Sequence, residues 1–159
     1  SNIKQETQDV KTFRFKNLHG KENPFEHYPG QYMTLTLEID GKQIKRSYTI
    51  ASAPSQRGYV ELTIKRHPQG IVSKFMHDKV GVGQLINVSA PAGKFCFDGS
   101  TSDSVLLIAG GVGITPIMAM LRYLTDTSWA GMIYCINAVR TEQDLIFRNE
   151  IEAIVARHT

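Results

Sequence analysis

Three short stretches carry residue types whose spacing suits a flat, phosphorylated cofactor. The first is Gly110-Gly111-Val112-Gly113-Ile114-Thr115-Pro116, between an apolar run at 105–108 and a helix-like run at 117–124. Glycines there let the backbone turn tightly and approach a ligand where a Cβ would collide. The free N–H groups and positive dipole end of the following helix favour a phosphate or pyrophosphate. Thr115 suits the helix cap and Pro116 its first position. A glycine turn used only for close packing would read the same way. The second stretch is Arg46-Ser47-Tyr48-Thr49. Strand alternation puts Arg46 and Tyr48 on one face, roughly 6.6 Å apart. A guanidinium pairs with a diphosphate through charge-assisted hydrogen bonds, and a tyrosine two residues along stacks on a heteroaromatic ring. Thr49, on the opposite side near the strand edge, offers its hydroxyl to a ring nitrogen. An exposed cation beside a core tyrosine is the alternative. The third is Gly70-Ile71-Val72-Ser73, preceded by Lys65-Arg66. Free N–H groups at a helix mouth and the Ser73 hydroxyl form an anion site; a plain turn with a solvated serine explains them equally well.

These residues need elements to position them. Through residue 98 the pattern is one of short strands and turn signals. The first strand is expected at 10–15, with Val10, Phe13 and Phe15 as apolar points. His27-Tyr28-Pro29-Gly30 is a turn. Residues 31–39 alternate Met33, Leu35 and Leu37 against Tyr32, Thr34 and Thr36. Asp40-Gly41 signals a hairpin, with a return strand at 43–50. Residues 59–66 alternate again around Val60, Leu62 and Ile64. Residues 71–80 form the only helix expected in this half, and 85–88 and 94–97 are two further short strands. Many short strands with few helices predict an antiparallel barrel or sandwich.

From residue 104 the pattern becomes strand, helix, strand, helix, which predicts a parallel α/β unit. The second strand is expected at 131–139. Thr141, with Asp144 three residues on, reads as a capping box. Phe147, Ile151, Ile154 and Val155 mark the buried face of the last helix. The polar turn formers at 98–103 divide a first domain, 1–98, from a second, 104–159. Parallel sheets usually have about five or six strands, so two strands make the second domain look truncated.

Composition narrows the function classes. The 159 residues carry a formal charge of +3, mildly basic and without a dense Lys/Arg block, so no nucleic-acid partner is expected. Cys96 and Cys135 read as reduced core residues of a cytoplasmic protein. No Cys/His cluster has metal-ligand spacing, and most of the five histidines are expected to be solvated. The charge-free run at 105–121 approaches membrane-span length, but its glycines and Thr-Pro step favour a buried strand, a turn and a helix. The polar N-terminus holds no signal peptide.

The motifs also occur in a telling order: Tyr28-Pro29-Gly30-Gln31-Tyr32, Arg46-Ser47-Tyr48-Thr49, Lys65-Arg66 with Gly70–Ser73, Pro91-Ala92-Gly93-Lys94-Phe95, then the glycine turn. In this order the chain resembles the ferredoxin–NADP reductase superfamily, nearest to its NADH-linked members: oxygenase reductase components, flavohaemoglobin reductase domains and hybrid-cluster-protein reductases. The resemblance implies a Greek-key FAD-binding barrel followed by the first part of an NAD(P)-binding α/β domain. It implies FAD as cofactor and NADH or NADPH as substrate. It implies Arg46 on the FAD pyrophosphate, Tyr48 on the isoalloxazine, Thr49 near its N5, and further flavin contacts from Ser47, Ile64, Lys65, Gly70, Ile71, Val72 and Ser73. Gly110, Gly111, Val112, Gly113, Thr115 and Pro116 would cradle the nicotinamide dinucleotide. Tyr48, Thr49 and Thr115 would flank the hydride path, and Arg140 would lie by the adenosine ribose. The Cys-Gly-Pro-like motif that flanks the nicotinamide is not in this stretch. A fragment of a longer reductase is therefore expected, with Ser1-Asn2 an added remnant, the first strand clipped, and an iron–sulfur or haem acceptor elsewhere. The alternative is a flavin-binding electron-transfer subunit with no nicotinamide activity of its own.

Overall fold

In the computed structural model, residues 2–158 are described. They form β1 (Asn2–Thr7), β2 (Val10–Phe15), β3 (Tyr32–Ile39), β4 (Lys42–Thr49), β5 (Val60–Lys65), α1 (Ile71–Asp78), β6 (Asn87–Val88), β7 (Ser104–Gly110), α2 (Ile114–Asp126), β8 (Met132–Ala138) and α3 (Arg148–His158). The first six strands lie in two antiparallel sheets, ordered β1-β2-β5 and β4-β3-β6. A single antiparallel bridge, Ile50 to Leu62, joins β4 to β5. The combined order β1-β2-β5-β4-β3-β6 is a Greek key, because β5 returns past the β3–β4 hairpin to lie beside β2. Met33, Leu35, Ile50, Leu62 and Ile64 are fully buried and fill the barrel with Met76 of α1.

The β3–β4 turn is the expected Asp40-Gly41, with φ of 51° and 71°. Both central residues are left-handed, as the tight turn matching strand twist requires. Gly30 has φ of 105°, and a Cβ there would strike the Phe95 carbonyl and the Met120 side chain. That turn is where the barrel, the 91–97 segment and α2 meet. β7 and β8 run parallel in register from Ser104–Met132 to Gly110–Ala138. Leu107 and Ala109 of this sheet pack with Ile114, Ile117, Met118 and Leu121 of α2 and Ile154 of α3, in one cluster that also contains Val10 and Ala51 of the barrel. Barrel and α/β part therefore share a continuous apolar contact.

Several expectations are corrected. β1 precedes the first expected strand, and its NIKQET sequence has no apolar alternation because its outer positions face water. It is specified by pairing with β2. Residues 94–97 are not a strand; the segment touches β3 through a single bridge from Ala92 to Tyr32. The expected 85–88 strand shrinks to Asn87–Val88, and the helix expected to reach residue 80 ends at Asp78. The last helix begins at Arg148 after Phe147 takes φ of 60°. Phe147 and Ile154 are buried, but Val155 is exposed, since the face counted from Phe147 starts outside the helix. The Thr141–Asp144 pair does form a capping box, with Asp144 accepting from the Thr141 backbone N–H at 3.2 Å, on the short turn Glu142–Asp144 rather than on α3. Both cysteines are free; Cys96 is half-buried and Cys135 exposed, so neither is a core residue. Three histidines are exposed as expected, whereas His27 and His77 are buried. The 105–121 run divides into β7, a turn and α2, and no helix among the described residues is long and apolar enough to cross a membrane.

Candidate functional site

β4 and the loop leading into α1 enclose a groove of about 570 Å³ lined by Ile44, Lys45, Arg46, Tyr48, Lys65, His67, Gln69 and the first residues of α1. It brings together Arg46, Tyr48, Lys65, Gly70, Ile71, Val72 and Ser73 from three separate elements of the chain. Strand register explains the β4 side: Arg46 lies opposite Leu35 and Tyr48 opposite Met33, on the face turned toward the barrel interior. Arg46 remains exposed, while Tyr48 is half-buried. Burial pushes the Tyr48 phenol above its ordinary value, and the nearby Arg46 charge pulls partly against that. The ring is thus a neutral wall at ordinary pH.

The wall contains three cations, Lys45, Arg46 and Lys65, and no carboxylate. Lys65 is partly engaged by Asp9 at 3.2 Å. α1 opens after Gly70 with no side-chain cap and no acidic residue in its first turn, so its leading N–H groups keep their positive potential. Ser73 is more occupied than a free anion ligand would be. Its hydroxyl accepts from the His67 backbone N–H at 3.1 Å and lies 3.4 Å from the Gly70 carbonyl, closing the loop before the helix. A Cβ on Gly70 would run into that hydroxyl. This groove fits an elongated anion with a planar end.

The remaining expected residues lie outside this wall. Ser47 and Thr49 point to the other side of β4: Ser47 shares a 2.9 Å hydrogen bond with Thr34, and Thr49 is paired with Tyr32. Ile64 is fully buried in the barrel, and its carbonyl faces His77 Nε2 at 2.8 Å. Arg140 is exposed on the bend after β8.

The glycine turn sits at the C-terminal end of β7. Gly111 takes φ of 50° and opens one short 3₁₀ turn, Gly111–Gly113, before α2. The helix therefore starts at Ile114 with Gly113 as its cap residue, not at Thr115. Thr115 is buried, and its hydroxyl donates to the Val112 carbonyl at 3.2 Å, tying the turn together. A Cβ added at Gly110, Gly111 or Gly113 would meet nothing within 4 Å. Close packing therefore gives no reason for these glycines. The Ile114 N–H is taken by the Gly111 and Val112 carbonyls, and open space beside the positive end of a helix is what a docking anion needs.

Residues 1–97 match the family description "oxidoreductase FAD-binding domain", and residues 107–159 match "oxidoreductase NAD-binding domain". The chain belongs to the ferredoxin reductase-like family of FAD-binding oxidoreductases. Among its relatives, the glycine betaine monooxygenase reductase subunit of Chromohalobacter salexigens is 42% identical over 153 residues, covering 96% of this chain and 41% of the relative. A flavohemoprotein of Burkholderia sp. is 36% identical over 154 residues, covering 97% of this chain and 38% of that protein. The flavohem-like FAD/NAD binding domain of nitric oxide dioxygenase from Vibrio cholerae superposes with a TM-score of 0.90 at 26% identity, covering 98% of this chain and 67% of that one. The chain spans about two-fifths of the length of the curated relatives it matches.

For a ferredoxin reductase-like chain, the groove also contains residues that the sequence reading missed. Ile44 sits two positions before Arg46 on the same strand face, a signal alternation supplies. Lys45 carried none, because alternation puts it on the strand face opposite Arg46; His67 and Gln69 carried none, because the loop conformation after β5 decides what reaches the groove.

Proposed function

We propose that the chain is the flavin-binding and nicotinamide-docking part of a reductase that moves reducing equivalents from NAD(P)H to an iron–sulfur or haem acceptor. The observation that carries this reading is the carboxylate-free groove, which Arg46, Lys45 and Lys65 line together with the uncapped start of α1 and the half-buried ring of Tyr48. Arg46 and the leading N–H groups of α1 would hold the FAD pyrophosphate, and Tyr48 would cover one face of the ring system. Thr49, at the strand end, would lie by the reacting edge. When bound, FAD supplies the redox chemistry: it takes a hydride, two electrons with one proton, from the nicotinamide and gives the electrons up singly to the acceptor. The chain itself positions the two nucleotides and keeps water from their contact. Gly110–Pro116 would receive the dinucleotide phosphates, and Arg140 would contact the adenosine ribose.

We divide the chain into a flavin-binding barrel, 1–98, and a nicotinamide-docking part, 104–159. A haem or iron–sulfur acceptor is proposed because relatives include a monooxygenase reductase subunit and a flavohemoprotein. A cytoplasmic location accords with two free cysteines. The test is anaerobic titration of the purified full-length protein with NADH and then NADPH, followed at the flavin absorption bands. Bleaching by either nucleotide is expected, and the more efficient one identifies the donor. A colourless protein that binds no added FAD overturns the reading. A yellow protein bleached by dithionite but by neither nucleotide replaces it with an electron-transfer subunit fed by another protein.

A further inference from the structure

The α2 helix carries the glycine turn at its start and, two turns further on, a cation that reaches across to the barrel. Arg122 lies seven residues after Thr115, roughly 10 Å along the helix axis. Its Nη1 donates to the Ala51 carbonyl at 2.7 Å and lies 3.3 Å from Glu61 Oε2. Its Nε and Nη2 donate to the two carboxylate oxygens of Glu150 on α3, each at 2.7 Å. The Glu61 carboxylate also accepts from Arg14 on β2, at 2.8 and 3.0 Å, and Arg14 in turn lies over the Tyr59 ring, 3.8 Å from its centroid. The Arg122 side chain is 14% exposed and that of Glu61 11%. One guanidinium thus joins α2 and α3 to the barrel with short, directional charge-assisted bonds, near-buried toward Glu61 and more open toward Glu150, whose side chain is 38% exposed.

The barrel partner matters because of where it sits. Ala51 follows Thr49 by two residues, and its N–H donates to the Glu61 carbonyl at 2.8 Å. The end of β4 is therefore fixed to β5 and, through Ala51, to Arg122. A continuous series of covalent and hydrogen-bonded links runs from Thr49 through the Ala51 carbonyl and Arg122 along α2 to Gly113 and Thr115.

We infer that Arg122 is a positioning residue that sets the separation between the flavin-side end of β4 and the nicotinamide-side turn at the start of α2. The inference rests on the reading above of those two sites. Near-attack geometry is sensitive to small offsets, so a shift of about 1 Å far from the reacting atoms costs up to roughly a hundredfold in rate. Between those two ends, Ala51 and Arg122 line neither the groove nor the glycine turn.

The experiment uses the full-length protein with Arg122→Lys, which keeps the charge but cannot hold Glu150 bidentately while reaching Ala51. Glu150→Gln, which leaves Arg122 paired with Glu61, serves as the second variant should the first not fold. In either, FAD content and reduction by dithionite are expected to match the parent. KM for the nucleotide should stay within about twofold, while the saturating rate of flavin reduction falls roughly ten- to a hundredfold. Hydrogen exchange, read without nucleotide, should accelerate at 110–116 and at 50–53 but not in β3. An unchanged saturating rate, unchanged exchange in those segments, or a parallel loss of FAD content and thermal stability would each overturn the inference. If the unsubstituted protein accepts hydride from neither NADH nor NADPH, the functional reading fails instead, and the exchange result alone judges whether Arg122 holds the turn to the barrel.

Discussion

Arg46 and Tyr48 share a strand face but differ in burial, and that difference gives them separate tasks. Exposed Arg46 holds its charge at the groove surface, whereas half-buried Tyr48 presents an uncharged ring. Replacing Arg46 with alanine should weaken FAD binding by at least about tenfold, the loss of roughly one charge-assisted pair, with little change in melting temperature. Equilibrium dialysis against FAD checks this, and unchanged affinity removes Arg46 from the site. Two buried histidines make a separate prediction. Burial pushes both His27 and His77 below the ordinary histidine range, against hydrogen bonds to the Ser52 and Ile64 carbonyls. For His77, the Lys11 and Arg66 charges add to the lowering. The unfolded chain then takes up protons at higher pH than the folded one. Stability is fully present above about pH 6.5 and declines as pH falls from there toward the lowered folded values. Melting curves across this range should show that decline, and His77→Gln, which can still donate to Ile64, should flatten it. A flat profile in the parent protein would contradict the burial of both side chains.

At the scale of the element, the turn into α2 combines one glycine chosen for conformation with two facing open space. Gly111 needs its left-handed φ, but Gly110 is extended, at φ of −125°, and Gly113 is helical, at φ of −61°. Alanine fits the backbone at either position and meets no neighbour within 4 Å. Gly110→Ala and Gly113→Ala should therefore leave melting temperature and FAD content nearly unchanged while raising KM for the nucleotide severalfold. A loss of stability without a change in KM would restore the packing explanation that the sequence alone left open. This element was legible as strand, turn and helix because apolar runs flank the glycines. Its cap was not: Thr115 looks like a cap residue, yet the 3₁₀ turn moves the helix start forward and turns its hydroxyl onto Val112. A three-residue turn of that kind depends on how the strand end meets the helix, which local residue types do not specify.

Across the whole molecule, the polar segment between the barrel and the α/β part is held by Trp129. Its indole N–H donates to the Gly99 carbonyl at 3.1 Å, and its ring stands edge-on to Phe97 with centroids 5.8 Å apart. Side chains at Gly99 and Gly131 would enter the space of that ring. Gly131→Ala should cost roughly 1–3 kcal/mol, the range for overpacking a tight contact, read as a lower denaturation midpoint. The two-stranded sheet behaves differently on its two faces. Leu107 and Ala109 are covered by helices, but Leu106, Ile108, Met132, Tyr134 and Ile136 are each more than half exposed. A contiguous apolar face of that kind binds hydrophobic dyes. The 159-residue chain should enhance ANS fluorescence, and Leu106→Glu with Ile108→Lys should remove most of that enhancement.

The sequence by itself determined the strands from β2 to β5, the alternation of β7, α2, β8 and a last helix, the Asp40-Gly41 hairpin, and the motif series that relates the chain to FAD-dependent reductases. These are local: alternation, helical spacing and turn chemistry are properties of neighbouring residues. Only the tertiary structure decided that Arg46, Lys65 and the start of α1 line one groove, that β1 is a strand at all, and that Glu61 is buried within β5. It also decided that Ile64 is core, while Lys45 and His67 reach the groove. Arg122 is the clearest case. In sequence it is the one cation of a largely apolar helix; its meaning comes from partners 61 and 71 residues away along the chain. A charge on a strand or helix can be read from its own segment, but the burial that makes it directional is supplied by distant elements.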